Sequence, residues 1–184
     1  MLKRICKILM RIGGWKGKNF VPPQKKCIIV GAPHTSAWDF VWAWIYYTSI
    51  GGKISFLIKK EFFFWPVGFF VRKMGGIPID RSKGANVIRQ SVKLFEERGN
   101  LHLAITPEGT RKRTKNWKAG FYAIAKQANV PVYLSSFDWG RKYMTPGDLF
   151  ELSDDYREDI KRMKDYYQKK GIKGKYPDQF TTDY

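Results

Sequence analysis

The 184-residue chain holds two histidines, and the first of them opens the stretch "PHTSAWDF", in which His34 precedes Asp39 by five positions. A carboxylate that accepts a proton from one imidazole nitrogen fixes the tautomer and leaves the other nitrogen able to deprotonate a hydroxyl. On a regular α-helix, residues five apart point about 140° away from each other. The pair therefore meets only if His34 lies in a loop and Asp39 in the first turn of the helix that follows. Ser36 with Asp39 three residues later has the form of a capping box with Ser36 as N-cap, and that places His34 outside the helix. The same pattern also allows a structural role, in which Asp39 only closes the cap and favours the helix N-terminus. No Gly-x-Ser-x-Gly turn is present, so nothing points to an acyl-enzyme serine. A dyad without its own nucleophile implies that the substrate brings the attacking hydroxyl or amine.

A second stretch, "TPEGTRKRTKNWK", has the residues of an anion site. Gly109 lets the backbone turn closely, Thr110 offers a hydroxyl, and Arg111 presents a fork matched to phosphate oxygens. Lys112, Arg113, Lys115 and Lys118 crowd the seven positions that follow. Glu108 has three readings: an anchor for Arg111, a hydrogen-bond partner of an acceptor hydroxyl, or a surface glutamate in a turn. In "GGIPIDRS" Arg81 stands just past a short strand, with Asp80 as its ion-pair partner or as a helix cap. His102, inside the apolar run "LHLAI", reads as a packed strand residue. No His, Cys or carboxylate cluster has metal-ligand spacing.

The elements that must position these residues alternate. The runs "CIIVG", "ISFLI", "GIPI", "LHLAI" and "VPVYLSS" read as strands, with helical stretches near residues 36–49, 61–73, 84–98 and 118–129 between them. Alternation of this kind argues a single α/β domain with a mixed, mostly parallel sheet flanked by helices. In such sheets the loops leaving the carboxyl ends of strands build the site. Both stretches singled out above follow strands directly. A charged helix with Ser153 as N-cap and Gly171 as its stop is expected in the tail.

Leu2, Ile5, Ile8, Leu9 and Ile12 recur at helical spacing, interleaved with Lys3, Arg4, Lys7 and Arg11, and predict a basic amphipathic N-terminal helix ending at Gly13-Gly14. We divide the chain accordingly into this segment (1–20) and the α/β domain (21–184). Eight basic residues and no acidic one precede Asp39, a bias that attracts an anionic membrane surface; the alternative is a helix packed on its own domain. The whole chain carries a formal charge of +18, which implies a polyanionic partner. Aromatic residues crowd into "WDFVWAWIYY" and "EFFFWPVGFF", which suits either a lipid-facing surface or an ordinary core. Cys6 and Cys27 are too few for a disulfide framework and read as free thiols in a reducing compartment. No apolar run approaches the ~20 residues that span a bilayer.

In order, the motifs resemble those of the glycerolipid acyltransferase superfamily, whose best known members are the 1-acylglycerol-3-phosphate acyltransferases. The family's four blocks read here as His34 to Asp39, Gly76-Ile77-Pro78-Ile79-Asp80-Arg81, Glu108-Gly109-Thr110-Arg111, and Val130-Pro131-Val132. The resemblance covers roughly residues 25 to 136. Pro33 stands where members often carry Asn, and Leu134 where a second Pro is usual. The resemblance implies that His34 is a general base oriented by Asp39, that Glu108 and Gly109 help position the acceptor, and that Arg81 and Arg111 bind its phosphate. It also implies a thioester of coenzyme A or acyl carrier protein as donor, with no resident cofactor. The acceptor is then a lipid hydroxyl or amine, and the place of action the inner face of the cell membrane. Two rivals share parts of the pattern: a non-catalytic basic module for lipid headgroups or nucleic acid, although no nucleic-acid motif is present, and a thioesterase in which water replaces the acceptor.

Overall fold

The computed structural model describes residues 1–80 and 84–184. Its strands are β1 (Lys16–Gly17), β2 (Lys26–Ala32), β3 (Ser55–Lys59), β4 (Gly76–Ile79), β5 (Leu101–Ile105), β6 (Val132–Asp138), β7 (Tyr143–Met144) and β8 (Asp148–Phe150). The helices are α1 (Leu2–Ile12), α2 (Trp38–Ile50), α3 (Val67–Lys73), α4 (Gly84–Glu97), α5 (Gly120–Ala128) and α6 (Tyr156–Lys169). The sheet order is β1-β7-β6-β2-β5-β3-β4, with β8 also on β6. From β6 to β4 every neighbour is parallel, while β7 and β8 run antiparallel along the outer edge of β6. This is the expected mixed, mostly parallel sheet. The five strands read from sequence are its parallel centre, and β1, β7 and β8, each two or three residues long, are additions too short to leave a periodic signal.

Parallel strands covered on both faces read as continuous apolar runs, which is why "CIIV" carries no alternation. The two faces nonetheless divide cleanly. Ile28, Val30, Leu101, Leu103, Val132 and Leu134 pack with Phe95 of α4, Phe121 and Ile124 of α5, and Met163 and Tyr167 of α6. Cys27, Ile29 and Tyr133 face the other way, toward Tyr47 of α2. The crossovers β2–α2–β3 and β3–α3–β4 step toward one sheet edge, and those carrying α4 and α5 step back. Right-handed connections therefore set α2 and α3 on one face and α4 and α5 on the other. Burial pushes the Cys27 thiol up to about 12, and both cysteines are free and buried, which leaves them unreactive.

Three local expectations are corrected. Helix α2 begins at Trp38 with Ala37 at its N-cap, because Ser36 Oγ accepts from Trp38 N–H (3.2 Å) instead of from Asp39 N–H. Asp155, not Ser153, caps α6, accepting from Arg157 N–H (2.8 Å). Ser153 is held elsewhere, its N–H donating to the buried Asp159 carboxylate. The aromatic stretch expected as one helix over 61–73 forms a 3-10 turn at Lys60–Phe62 and the short α3, since Pro66 disfavours helix at the residue before it.

The outer helix α1 turns Cys6 and Met10 onto Trp15, Ile45, Tyr46 and Phe137. Its predicted apolar stripe, Leu2, Ile5, Ile8, Leu9 and Ile12, points to solvent instead. Phe64, Trp65, Phe69 and Phe70 around α3 are likewise exposed. Among the described residues no helix is long and apolar enough to cross a membrane. Phe121, fully buried between α5 and the sheet, is central to the core beneath the site. Its replacement by Ala is expected to lower the unfolding free energy by about 3–5 kcal/mol in a denaturant titration.

Candidate active site

Strands β5, β2 and β6 are adjacent and parallel, so the loops leaving their carboxyl ends converge. The chain leaves β2 toward one sheet edge and β5 toward the other, which makes this a topological switch point, the usual location of a ligand crevice in open α/β sheets.

His34 lies in the loop after β2, and its Nδ1 is 3.2 Å from Asp39 Oδ2. The two meet because Asp39 reaches back out of the first turn of α2. The same Oδ2 accepts from the Thr35 and Ser36 backbone N–H groups (both 2.8 Å), and Oδ1 accepts from Trp139 Nε1–H (2.8 Å). Asp39 is therefore both the cap, through the backward half of a capping box, and the partner of the imidazole. Served by donors at both oxygens and buried, the carboxylate orients the imidazole and favours the tautomer with its proton on Nδ1. His34 Nε2 makes no hydrogen bond among the described residues, and the side chain is 25% exposed. A base with a free lone pair thus faces outward.

Glu108, in the loop after β5, accepts from His34 N–H through Oε1 (2.9 Å), tying the two loops together. It makes no ion pair with Arg111. Its Oε2 is sealed from solvent without a hydrogen-bond partner among the described residues. Burial, aided by the nearby Asp39 charge against the restraining His34 hydrogen bond, pushes its carboxyl up to about 8. Gly109 follows at φ +63°, a left-handed conformation that favours glycine, and a Cβ there would press on Lys118 at 3.1 Å. Thr110 Oγ1 accepts from Lys112 N–H (3.2 Å).

The cations after Glu108 divide. Arg113 pairs with Asp183 (3.2 Å) and Lys115 Nζ contacts the Tyr184 carbonyl (3.5 Å), so both turn to the tail. Arg111, Lys112 and Lys118 are exposed and have no ion-pair partner among the described residues. Arg81 lies outside the described residues. His102 is a packed strand residue, hydrogen-bonded to Tyr47 OH (2.6 Å) and the Gln24 carbonyl (2.7 Å). Among the described residues no three His, Cys, Asp or Glu side chains are grouped to hold a metal.

The tail contributes what the sequence did not announce. Residues 172–180 cross the loop after β2, with Gly174 packed against Thr35 so closely that a Cβ would meet it at 2.7 Å. Tyr176 N–H donates to Thr35 Oγ1 (3.3 Å). The Gln179 amide, oriented to satisfy both its ends, donates to the carbonyls of Thr35 (3.2 Å) and Arg111 (2.7 Å). Lys175 Nζ lies over the rings of Trp38 and Trp139 (5.7 and 5.2 Å). Trp139 directly follows β6, so the rule that sites form at strand ends would have flagged it had the strand order been known.

Residues 15–135, which hold the His–Asp pair and the Arg-bearing Gly turn at the switch point of the parallel sheet, match the acyltransferase family. The chain belongs to that family. Its structure is similar to the crystal structure of the 1-acyl-sn-glycerophosphate (LPA) acyltransferase PlsC from Thermotoga maritima, with a TM-score of 0.62 at 17% identity, over 94% of this chain and 79% of that one. No curated protein matches the sequence significantly.

Because its folded pKa lies above the ordinary carboxylate value, Glu108 binds a proton in the folded state that the unfolded chain releases between about pH 4.5 and 8. Stability is accordingly lost as pH rises through that window. Glu108→Gln, which keeps the acceptor oxygen for His34, is expected to raise the melting temperature by a few degrees at pH 8 and to change it little at pH 4.5. Thermal unfolding across that range checks it.

Proposed function

We propose that this acyltransferase moves a fatty acyl group from a coenzyme A or acyl-carrier-protein thioester to the hydroxyl of a phosphate-headed lyso-lipid of the lysophosphatidate type. The observation that carries the reading is His34 Nε2, which makes no hydrogen bond among the described residues, backed by a buried carboxylate and set beside a loop whose Arg111, Lys112 and Lys118 make no ion pair among them. Nε2 takes the proton of the acceptor hydroxyl as its oxygen attacks the thioester carbonyl carbon. The tetrahedral adduct collapses with cleavage of the C–S bond, and the thiolate leaves with the proton returned from the imidazolium. Ester and free thiol are the products, and the base is restored. Asp39 stabilises the imidazolium in between. Arg111, with Arg81, serves the acceptor phosphate through bidentate contacts, and Lys112 and Lys118 add to the field. Glu108 holds the His34 backbone, and Gly109 gives the acceptor close access to the turn. The named activity of the Thermotoga maritima protein, similar in fold, supports the acceptor class.

The reading includes a peripheral position on an anionic membrane. It is supported by the outward stripe of α1, where Ile8 and Ile12 are 56% and 78% exposed among basic neighbours, and by the exposed aromatics near α3 on the same face of the sheet. An acidic acyl carrier protein would suit the +18 charge equally well.

The decisive experiment presents a labelled long-chain acyl thioester and a panel of phosphate-headed and amine-headed lyso-acceptors to the protein and to His34→Ala. We expect one acylated lipid, formed about 10²–10⁴-fold more slowly by the variant. Undiminished turnover by His34→Ala, or release of free acid alone, overturns the assignment. Separately, Ile8→Ser combined with Ile12→Ser should weaken binding to anionic vesicles several-fold while leaving the melting temperature in place. Unchanged binding would remove α1 from the membrane surface.

A further inference from the structure

We propose that Trp139 is a positioning residue for the His34–Asp39 pair, its indole N–H holding the Asp39 carboxylate in the orientation that presents Oδ2 to the imidazole. The proposal rests on the reading of that pair as the catalytic base and its partner. Trp139 lies beyond the segment that matches the family, and none of the four motif blocks contains it.

The Asp39 oxygens are unequally served. Oδ2 faces His34 Nδ1 and two backbone N–H groups, whereas Trp139 Nε1–H is the one donor to Oδ1 among the described residues. Without it, a buried carboxylate oxygen would have no partner, and rotation of the carboxylate to find one would pull Oδ2 out of line. An indole N–H suits the task because it donates only and does not titrate near neutral pH, so the contact has a single sense through the proton's movement.

The ring is itself fixed. Trp15 meets it edge-on (centroids 4.9 Å apart, 78°) and Phe137 likewise (5.7 Å, 72°). The Trp139 backbone N–H donates to the Lys173 carbonyl (2.9 Å). Asp138 Oδ1 accepts from Gly140 and Arg141 N–H (2.9 and 3.2 Å), shaping the turn that aims the side chain. Such support from several directions is what a positioning group needs, since a small displacement of a reacting group costs rate disproportionately.

Trp139→Phe keeps the ring packing and removes the donor. The carboxylate then turns toward another donor and Oδ2 leaves its line with Nδ1–H, so the imidazolium loses part of its stabilisation and His34 should titrate at lower pH. The groups on the surrounding elements, Asp39, Glu108, Arg111, Asp138, Arg141 and Lys175, are the same in both proteins. Having only two histidines makes the chain suited to a ring-nitrogen NMR titration. His102, bonded at both nitrogens, reports that the fold is intact. We expect the His34 midpoint to fall with His102 unmoved, kcat to fall about tenfold with KM nearly constant, and the acid limb of the rate profile to move down with the His34 midpoint.

A His34 midpoint that stays or rises, or kcat per folded protein within twofold of the unaltered enzyme, overturns the proposal. His34→Ala assayed alongside separates the failures. If it retains turnover, the reading of the pair has failed; if it is inactive while Trp139→Phe is unimpaired, only the role of Trp139 has. Should Trp139→Phe not fold, the unaltered protein still decides. The Trp139 indole N–H resonance should shift in step with the His34 titration, and an indole indifferent to it overturns the proposal.

Discussion

A carboxylate buried without donors is expensive enough that it would sooner take up a proton than stay charged. Asp39 does not lack donors, since two backbone N–H groups, an indole N–H and an imidazole converge on it, and much of the site follows from satisfying that one group. The loop after β2 must curl so that Thr35 and Ser36 point inward. Helix α2 must begin where its first turn can lend Asp39 to the loop. Strand β6 must end where Trp139 can reach across. Glu108 is the contrasting case: equally enclosed, but with one oxygen left alone, it lies toward the neutral form. Two carboxyl groups near one histidine thus differ in the donors that meet them.

The same division of labour runs through the cations. A cluster of five after Glu108 looks uniform in the sequence, yet the tail engages Arg113 and Lys115 and leaves Arg111, Lys112 and Lys118 to solvent. Charge density near the site is lower than a count suggests and more directional. On the helical face formed by α1, α2 and α3, apolar side chains that could have packed inward remain outside, an arrangement whose cost in water is relieved at a lipid surface.

The parallel core was legible because each strand is a short apolar run punctuated by turns, and the placement of His34, Asp39 and Glu108 past strand ends was legible because each follows such a run. The facing of α1 was not. Helical periodicity identifies a stripe without saying whether protein or lipid covers it, and Cys6 and Met10, the residues that turn inward, look unremarkable in the sequence. The capping pattern of Ser36 and Asp39 gave the placement of His34 correctly although only half of the box forms, since the backward bond from Asp39 suffices. Trp139 and the tail were beyond reach because their partners are far away in the chain, and no local pattern records a contact between Gly174 and Thr35.

That remoteness has a consequence for how the enzyme comes into being. The bonds that complete the site join residues 74 apart (Glu108 to His34), 100 apart (Trp139 to Asp39) and 141 apart (Tyr176 to Thr35). Closing loops of that length costs chain entropy before the contacts repay it. A nascent polypeptide emerging from the ribosome carries His34 and Asp39 early but lacks the strap that secures their loop until residue 179 is free to dock. The loop is therefore secured only once residue 179 has emerged, and a chain interrupted before it would display the motifs without the strap.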